Sequence, residues 1–281
     1  MARVINTARV VDVVASIIMK ACYELDENTI DALKAARDNE ESPYGKDTLD
    51  ILIENAEYAK KEQIACCHDT GTCVLLVEIG QEVCWEGEPL ISQLNKGVAK
   101  GYEEGYLRKS MIGDPLNRVN TGDNTPAVIH TEIVPGDKVK ITAMPKGGGS
   151  ENMGAFTTLV PSQGAQGVKE YVLEVMKYAG GKPCPPVIIG VGVGGTMDQC
   201  AWIAKKSLLR PIGERNPNPF YAQLELEILE EVNKLGIGPL GMGGRATALD
   251  VHIEYFPCHI TSLPVAINFQ CHANRHASAQ I

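Results

Sequence analysis

Ala127-Val128-Ile129-His130-Thr131-Glu132-Ile133-Val134, then Pro135-Gly136-Asp137, then Lys138-Val139-Lys140-Ile141-Thr142-Ala143, is the stretch that decides the fold class. β-Branched residues recur through both outer runs and Pro-Gly-Asp between them is turn chemistry, so each run is expected to be a strand. Val74–Ile79 and Val187–Val191 read the same way. Helical stretches are expected over residues 162–178 and 219–235, the latter stopped by Gly236. The first sixty residues look helical throughout. Asn6 is expected to cap a helix running to Glu24, with Val10, Val13, Val14, Ile17 and Ile18 on one face; further helices start near Asn28 and Asp47. Strands interspersed with helices predict an α/β core carrying a helical N-terminal layer over about residues 1–60. No repeat, low-complexity tract or linker interrupts the chain, which is expected to form one continuous unit over residues 1–281.

Composition narrows the function. Hydrophobic residues make up 44% and charged residues 22%, the balance of a globular protein. The net charge is −9 and no Lys/Arg run could track a phosphate backbone, so nucleic acid is not an expected partner. The first apolar stretch, Val10 to Ala21, is broken by Asp12 and Lys20 and reads as an amphipathic helix rather than a leader. No apolar run approaches the ~20 residues of a membrane-spanning helix, and a cytoplasmic protein is expected. Nine cysteines are an odd number, read either as reduced thiols buried among apolar neighbours or, in part, as metal ligands.

Three segments set reactive residues beside glycine or proline. They are Cys66-Cys67-His68-Asp69-Thr70-Gly71-Thr72-Cys73, Gly181-Lys182-Pro183-Cys184-Pro185-Pro186 and Asn268-Phe269-Gln270-Cys271-His272-Ala273-Asn274-Arg275. Prolines flanking Cys184 fix its backbone and remove nearby N–H donors. Zinc sites commonly use close pairs such as C-x-x-C, and these three cysteines form none. Isolated cysteines more than eighty residues apart suit a cluster held from separate loops, against the plainer reading of three buried thiols. With three thiolates on four irons, one iron keeps an open position and can act as a Lewis acid.

Cys67-His68-Asp69-Thr70-Gly71 resembles the Cys-Gln-Asp-Thr-Gly motif of class I fumarate hydratases and L-tartrate dehydratases. The resemblance continues through Arg118-Val119-Asn120-Thr121-Gly122-Asp123-Asn124, Lys146-Gly147-Gly148-Gly149-Ser150-Glu151-Asn152, Cys184-Pro185-Pro186, Gly194-Gly195-Thr196 and Cys271 with Ala273-Asn274-Arg275. It spans nearly the whole chain in order. It implies a mixed-sheet core like the N-terminal domain of class I fumarases, and a 4Fe-4S cluster on Cys67, Cys184 and Cys271 with one open iron. It further implies catalytic roles for Asp69 and His259, a substrate carboxylate held by Arg118, and substrate contacts from His68 and the main-chain N–H groups around Gly148 and Gly149. The chain corresponds to the α subunit of a split hydro-lyase, so a β subunit carrying the proton-abstracting base is the implied partner, in an α2β2 assembly acting on a small dicarboxylate. Fumarate hydration to L-malate is the expected reaction, with L-tartrate or mesaconate as alternatives. His68 departs from the family's glutamine.

Two readings from other classes stay open: a zinc-dependent hydrolase using Cys258, His259 and Cys271, and a non-catalytic cluster-bearing subunit. Gly190-Val191-Gly192-Val193-Gly194-Gly195 satisfies G-x-G-x-x-G, but Glu214 falls in a loop where a dinucleotide site wants an acidic strand end, so a glycine-rich helix entry is expected instead. Cys66 rivals Cys67 by adjacency; it and Cys22, Cys73, Cys84, Cys200 and Cys258 are read as structural. The acidic helix Glu225-Leu226-Glu227-Ile228-Leu229-Glu230-Glu231 reads as a solvated face.

Overall fold

The computed structural model describes residues 2–281. Its elements, in chain order, are β1 (Arg3–Asn6), α1 (Arg9–Tyr23), α2 (Glu27–Asn39), α3 (Pro43–Glu62), β2 (Thr72–Gly80), β3 (Val83–Glu86) and α4 (Leu90–Glu104). There follow β4 (Val128–Val134), β5 (Val139–Lys146), the single turn α5 (Gly148–Glu151), β6 (Ala155–Leu159), α6 (Gly164–Ala179), β7 (Val187–Gly194) and α7 (Met197–Ser207). The chain closes with α8 (Pro219–Asn233), β8 (Ala248–Phe256), β9 (Leu263–Gln270) and β10 (Ala277–Gln280). Helices and mixed sheets give the α/β class that the sequence predicts.

The chain divides into two compact units, each discontinuous in sequence. The first takes residues 1–25, 55–148 and 275–281; the second takes 26–54 and 149–274. Because each is assembled from separate pieces, no linker or change of composition marks the division, and the sequence reads as continuous.

In the first unit, β10-β5-β2-β4 form one sheet, antiparallel except for the parallel β2–β4 pair. The Pro135-Gly136-Asp137 turn therefore does not close a two-stranded hairpin: β2 lies between the strands it joins. Gly80, at the end of β2, donates to the Lys138 carbonyl at 2.8 Å, and the Gly136 carbonyl fills the space a side chain at position 80 would need. Val10, Val14, Ile17 and Ile18 of α1 are buried with Leu94 and Val98 of α4 and with Leu75, Val77, Ile141 and Ala143 of the sheet. Gly97 and Gly101 on α4 let the two helices close, since a Cβ at either would press on Val14 or Ala15. The expectation of helix throughout the N-terminal sixty residues fails at β1, which pairs in parallel with β3. Ala8 stands at the N-cap of α1, while the Asn6 side chain accepts the Ala8 N–H.

In the second unit, β6-β9-β7-β8 repeat the same pattern, two antiparallel pairs and then the parallel β7–β8 pair. This is a topological repeat with no repeat in sequence. β7 is buried along its whole length, as a central strand covered on both faces must be. α7 lies against it because Gly190 and Gly192 carry no Cβ where the carbonyls of Ala204 and Cys200 sit. Gly190 and Gly192 of the apparent dinucleotide motif thus serve helix-on-strand packing. Val168, Val172 and Met176 of α6 and Leu224, Ile228 and Val232 of α8 join the β7, β8 and β9 side chains in this core.

The acidic face of α8, expected to be solvated, buries one of its glutamates. Glu225 is fully buried, pairing with Arg210 at 2.7 Å and accepting the Ile253 and Asn216 N–H groups at 2.7 and 3.0 Å. Arg215 pairs with Asp250, which also accepts the Gly213 N–H at 2.7 Å and faces His252 Nε2 at 3.1 Å. These bonds tie the irregular 209–218 segment to β8, and buried charges are tolerable only with such partners.

Candidate active site

Four of the segments singled out in the sequence converge within the first unit. Asp69 Oδ1 accepts the Gly71 N–H at 3.2 Å and its Oδ2 accepts the Gly148 N–H at 2.8 Å. Gly71 has φ +72°, and a Cβ there would overlap the Lys146 carbonyl, so glycine is required by conformation and by space. The carbonyls of Thr70 and Gly71 both accept from the buried Tyr102 hydroxyl, at 2.9 and 3.1 Å. Asn124 closes the frame: its Nδ2 donates to the Gly71 carbonyl at 3.1 Å, and its Oδ1 accepts from Ser110 and Met111 at 2.6 and 3.1 Å. A Cβ at Gly147 would lie 3.1 Å from Asp69 Oδ2 and 3.3 Å from the buried Arg275 guanidinium. Asp69 is therefore a half-buried carboxylate fixed by main-chain donors. The Gly148 N–H, expected to face substrate, points to Asp69.

Cys67 is half-buried and His68 exposed in the same loop. Cys66 is held by its main chain, donating to the Cys22 carbonyl at 2.9 Å and accepting from Asn55 Nδ2 at 2.8 Å. Arg118 is exposed on a loop organised by Asp114, whose carboxylate accepts the Leu116 and Asn117 N–H groups at 2.8 and 2.6 Å.

In the second unit, two of the expected ligand segments meet. The Cys184 carbonyl accepts the His272 N–H at 3.2 Å and faces His272 Nδ1 at 3.1 Å, joining residues 88 apart in sequence. The Cys184 thiol is exposed and Cys271, beside His272, is half-buried. Cys184 has φ +58°, an uncommon conformation for a residue with a Cβ, which surrounding bonds must hold in place. Gly149 makes room for this loop, since a Cβ there would lie 2.7 Å from the Lys182 carbonyl. His259 sits in an exposed turn bordering a cleft of about 640 Å³ lined by Phe156, Thr196, Met197 and Phe256. Its Nδ1 lies 2.8 Å from the Thr261 hydroxyl and 3.2 Å from the Thr261 main-chain nitrogen, which fix the ring.

All nine cysteines are free thiols. Cys22, Cys73 and Cys200 are buried. Burial pushes Cys22 up to about 11 against the opposing pull of Arg275, which hydrogen-bonds it, and it pushes Cys200 up to about 11 as well. Cys73 is raised further. Such thiols stay protonated and make poor ligands. Cys84 and Cys258, also read as structural, are exposed instead. Among the described residues no three Cys, His, Asp or Glu side chains stand close enough to share one metal ion, so Cys258, His259 and Cys271 form no zinc shell; the Cys258 thiol donates to the Ser262 carbonyl at 3.2 Å. A cluster takes one thiolate per iron and does not need such a shell. Within the second unit, the thiols of Cys184 and Cys271, on hydrogen-bonded loops and at least partly accessible, are donors of the kind such a cluster takes; Cys67 in the first unit is likewise partly accessible.

Sequence reasoning missed Tyr102, Asn124 and Arg275 as the frame of the Asp69 loop. The last two lie inside quoted motifs, but nothing local assigns them a role; Tyr102 carries no motif signal at all.

The chain matches the fumarate hydratase (Fumerase) family over residues 11–280. It is 43% identical to a Methanocaldococcus jannaschii protein provisionally named L(+)-tartrate dehydratase subunit alpha, covering 97% of this chain and 98% of that one. It is 33% identical to the L(+)-tartrate dehydratase subunit alpha of Escherichia coli, over 97% of this chain and 91% of the relative, and to that of Shigella sonnei, over 96% and 90%. A match along almost the whole chain, with its motifs gathered around Asp69 and Cys184, makes this protein a member of the fumarate hydratase family.

Proposed function

We propose that this chain is the α subunit of an iron–sulfur hydro-lyase that dehydrates L(+)-tartrate, working with a second subunit. Fumarate is the expected substrate from sequence; the relatives named above are tartrate dehydratase subunits, and this favours the alternative. The observation that carries the cluster reading is the pairing of the Cys184 and Cys271 loops through His272.

A 4Fe-4S cluster on Cys67, Cys184 and Cys271 would supply a Lewis-acidic iron with an open position. The chain's own residues supply the rest. Arg118, exposed on its loop, offers a planar fork for one substrate carboxylate. Asp69, fixed by two N–H groups, and His259 are assigned the proton at the departing hydroxyl. His68, exposed beside Cys67, offers its ring nitrogens to a substrate hydroxyl. Loss of water from tartrate gives the enol of oxaloacetate, and the base that removes the carbon-bound proton is assigned to the second subunit.

The test is anaerobic co-expression and reconstitution with the partner, followed by assay of oxaloacetate release from L(+)-tartrate and of malate formation from fumarate. The expected result is a kcat/KM for tartrate at least about tenfold above that for fumarate. The reverse ratio would replace the tartrate reading with the fumarate one, and turnover of neither by a cluster-loaded complex would overturn both.

A further inference from the structure

Glu40 ends α2 in a place that should not suit a carboxylate. It follows the last helical residue, where the helix dipole disfavours negative charge, and it is only 2% exposed. Four main-chain donors offset both penalties. Oε1 accepts the N–H groups of Glu41 and Ser42 at 2.9 and 3.0 Å, and Oε2 accepts those of Arg245 and Ala246 at 2.7 and 2.9 Å. Glycines make the space: a Cβ at Gly45 or Gly244 would come within 2.8 Å of the Glu40 side chain. The four donors hold the carboxyl below its usual range although burial pushes the other way.

Arg245 and Ala246 directly follow the segment Gly236-Ile237-Gly238-Pro239-Leu240-Gly241-Met242-Gly243-Gly244. Internal bonds fold it on itself, Gly243 N–H to the Ile237 carbonyl at 2.8 Å and Gly241 N–H to the Gly238 carbonyl at 3.0 Å. Leu240 has φ +49°, and its N–H donates to the Pro185 carbonyl at 2.8 Å. Gly241 stacks on Gly181 so closely that a Cβ on Gly241 would lie 2.9 Å from the Gly181 Cα. Residues 181 and 185 bracket Cys184. The left-handed Cys184 is thus held by its own turn, by His272 on its carbonyl, and by the glycine-rich loop on the next residue's carbonyl.

We infer that Glu40 is a positioning residue for the Cys184 thiol, acting by anchoring the glycine-rich loop that holds Pro185. The inference rests on the proposed ligand role of Cys184 for its purpose, but not for its geometry. It does not follow from the local sequence, because Glu40 lies 144 positions before Cys184 in a polar stretch that reads as ordinary surface.

Amide hydrogen exchange on the full chain, without metal, tests the anchoring. Glu40→Gln keeps the volume but turns one acceptor oxygen into a donor facing donors. The expected result is about tenfold faster exchange at Leu240 and His272, with β7 and β9 amides unchanged. Gly241→Ala perturbs the same contact from the Gly181 side and should speed exchange at the same amides while leaving Glu40 intact. Unchanged exchange at Leu240 and His272 in Glu40→Gln overturns the inference whatever Gly241→Ala shows, as would acceleration in Glu40→Gln that extends equally to β7 and β9. In the reconstituted protein, Glu40→Gln should lose iron to a chelator about fivefold faster than wild type, and equal rates would overturn the positioning role. If wild type never takes up iron and sulfide, the cluster reading fails while the exchange result still decides the anchoring.

Discussion

Replacing Gly71 by alanine should damage the candidate site through two separable effects. At φ +72° an alanine costs about 1 kcal/mol relative to glycine. Its Cβ would also lie 2.8 Å from the Gly147 nitrogen and closer still to the Lys146 carbonyl, so the end of β5 must move, at a further cost of about 2 kcal/mol. Gly136 supplies the control: it has φ +99° with nothing within 4 Å of a built Cβ, so Gly136→Ala should show the conformational cost alone, about 1 kcal/mol. Urea unfolding of both variants, followed by circular dichroism, should therefore give about three times the loss for Gly71→Ala. The displaced strand end carries Gly147 and Gly148 away from Asp69, and losing that charge-assisted hydrogen bond should lower kcat of the reconstituted complex by about tenfold or more. Equal stability losses for the two variants, or an unchanged kcat in Gly71→Ala, would refute the reasoning.

Asp250 predicts an acid-sensitive contribution. Burial pushes its carboxyl up, but hydrogen bonds from His252, Arg215 and Gly213 outweigh this and bring it from 3.8 down to about 2. A depressed folded-state value means stability that is present above the unfolded value and lost as pH falls through the folded one; the wild type should lose about 2 kcal/mol more than Asp250→Asn between about pH 4 and pH 2, and parallel urea titrations of the two would contradict this. His68→Gln installs the residue that the resemblance gives to fumarate hydratases and tartrate dehydratases alike, and, as an amide of different reach, should lower kcat/KM for L(+)-tartrate by about tenfold in a site shaped to the imidazole; an unchanged kcat/KM in steady-state assays would remove His68 from substrate binding.

The α/β class was legible because β-branched runs and 3.6-residue periodicity are local signals: β2, β4, β5, β7, α6 and α8 all lie within a few residues of where the sequence places them. β1, β3, β6 and β10 are four or five residues long, too short to show a period. The strand order was not legible at all. Pro135-Gly136-Asp137 reads as a simple turn between two strands, and only the pairing of β2 with both shows what it spans. Glu225 was misread for a related reason, since the charges that bury it arrive from Arg210 and the 213–216 loop rather than from its own helix. At the site, Asp69 and the three cysteines stand in recognisable motifs, whereas Tyr102, Asn124 and Glu40 act through main-chain hydrogen bonds that leave no sequence pattern.

The proposed hydro-lyase chemistry depends on a cluster held by Cys67, Cys184 and Cys271. Iron and sulfide analysis of the anaerobically reconstituted chain, with visible spectroscopy, tests it most directly. Wild type should bind about four iron and four sulfide per chain and show the broad charge-transfer band near about 400 nm. Cys67→Ala, Cys184→Ala and Cys271→Ala should each lose both, while Cys84→Ala and Cys258→Ala, which remove exposed thiols outside the set, should keep them. Full iron and an intact band in any of the first three variants would contradict the ligand assignment.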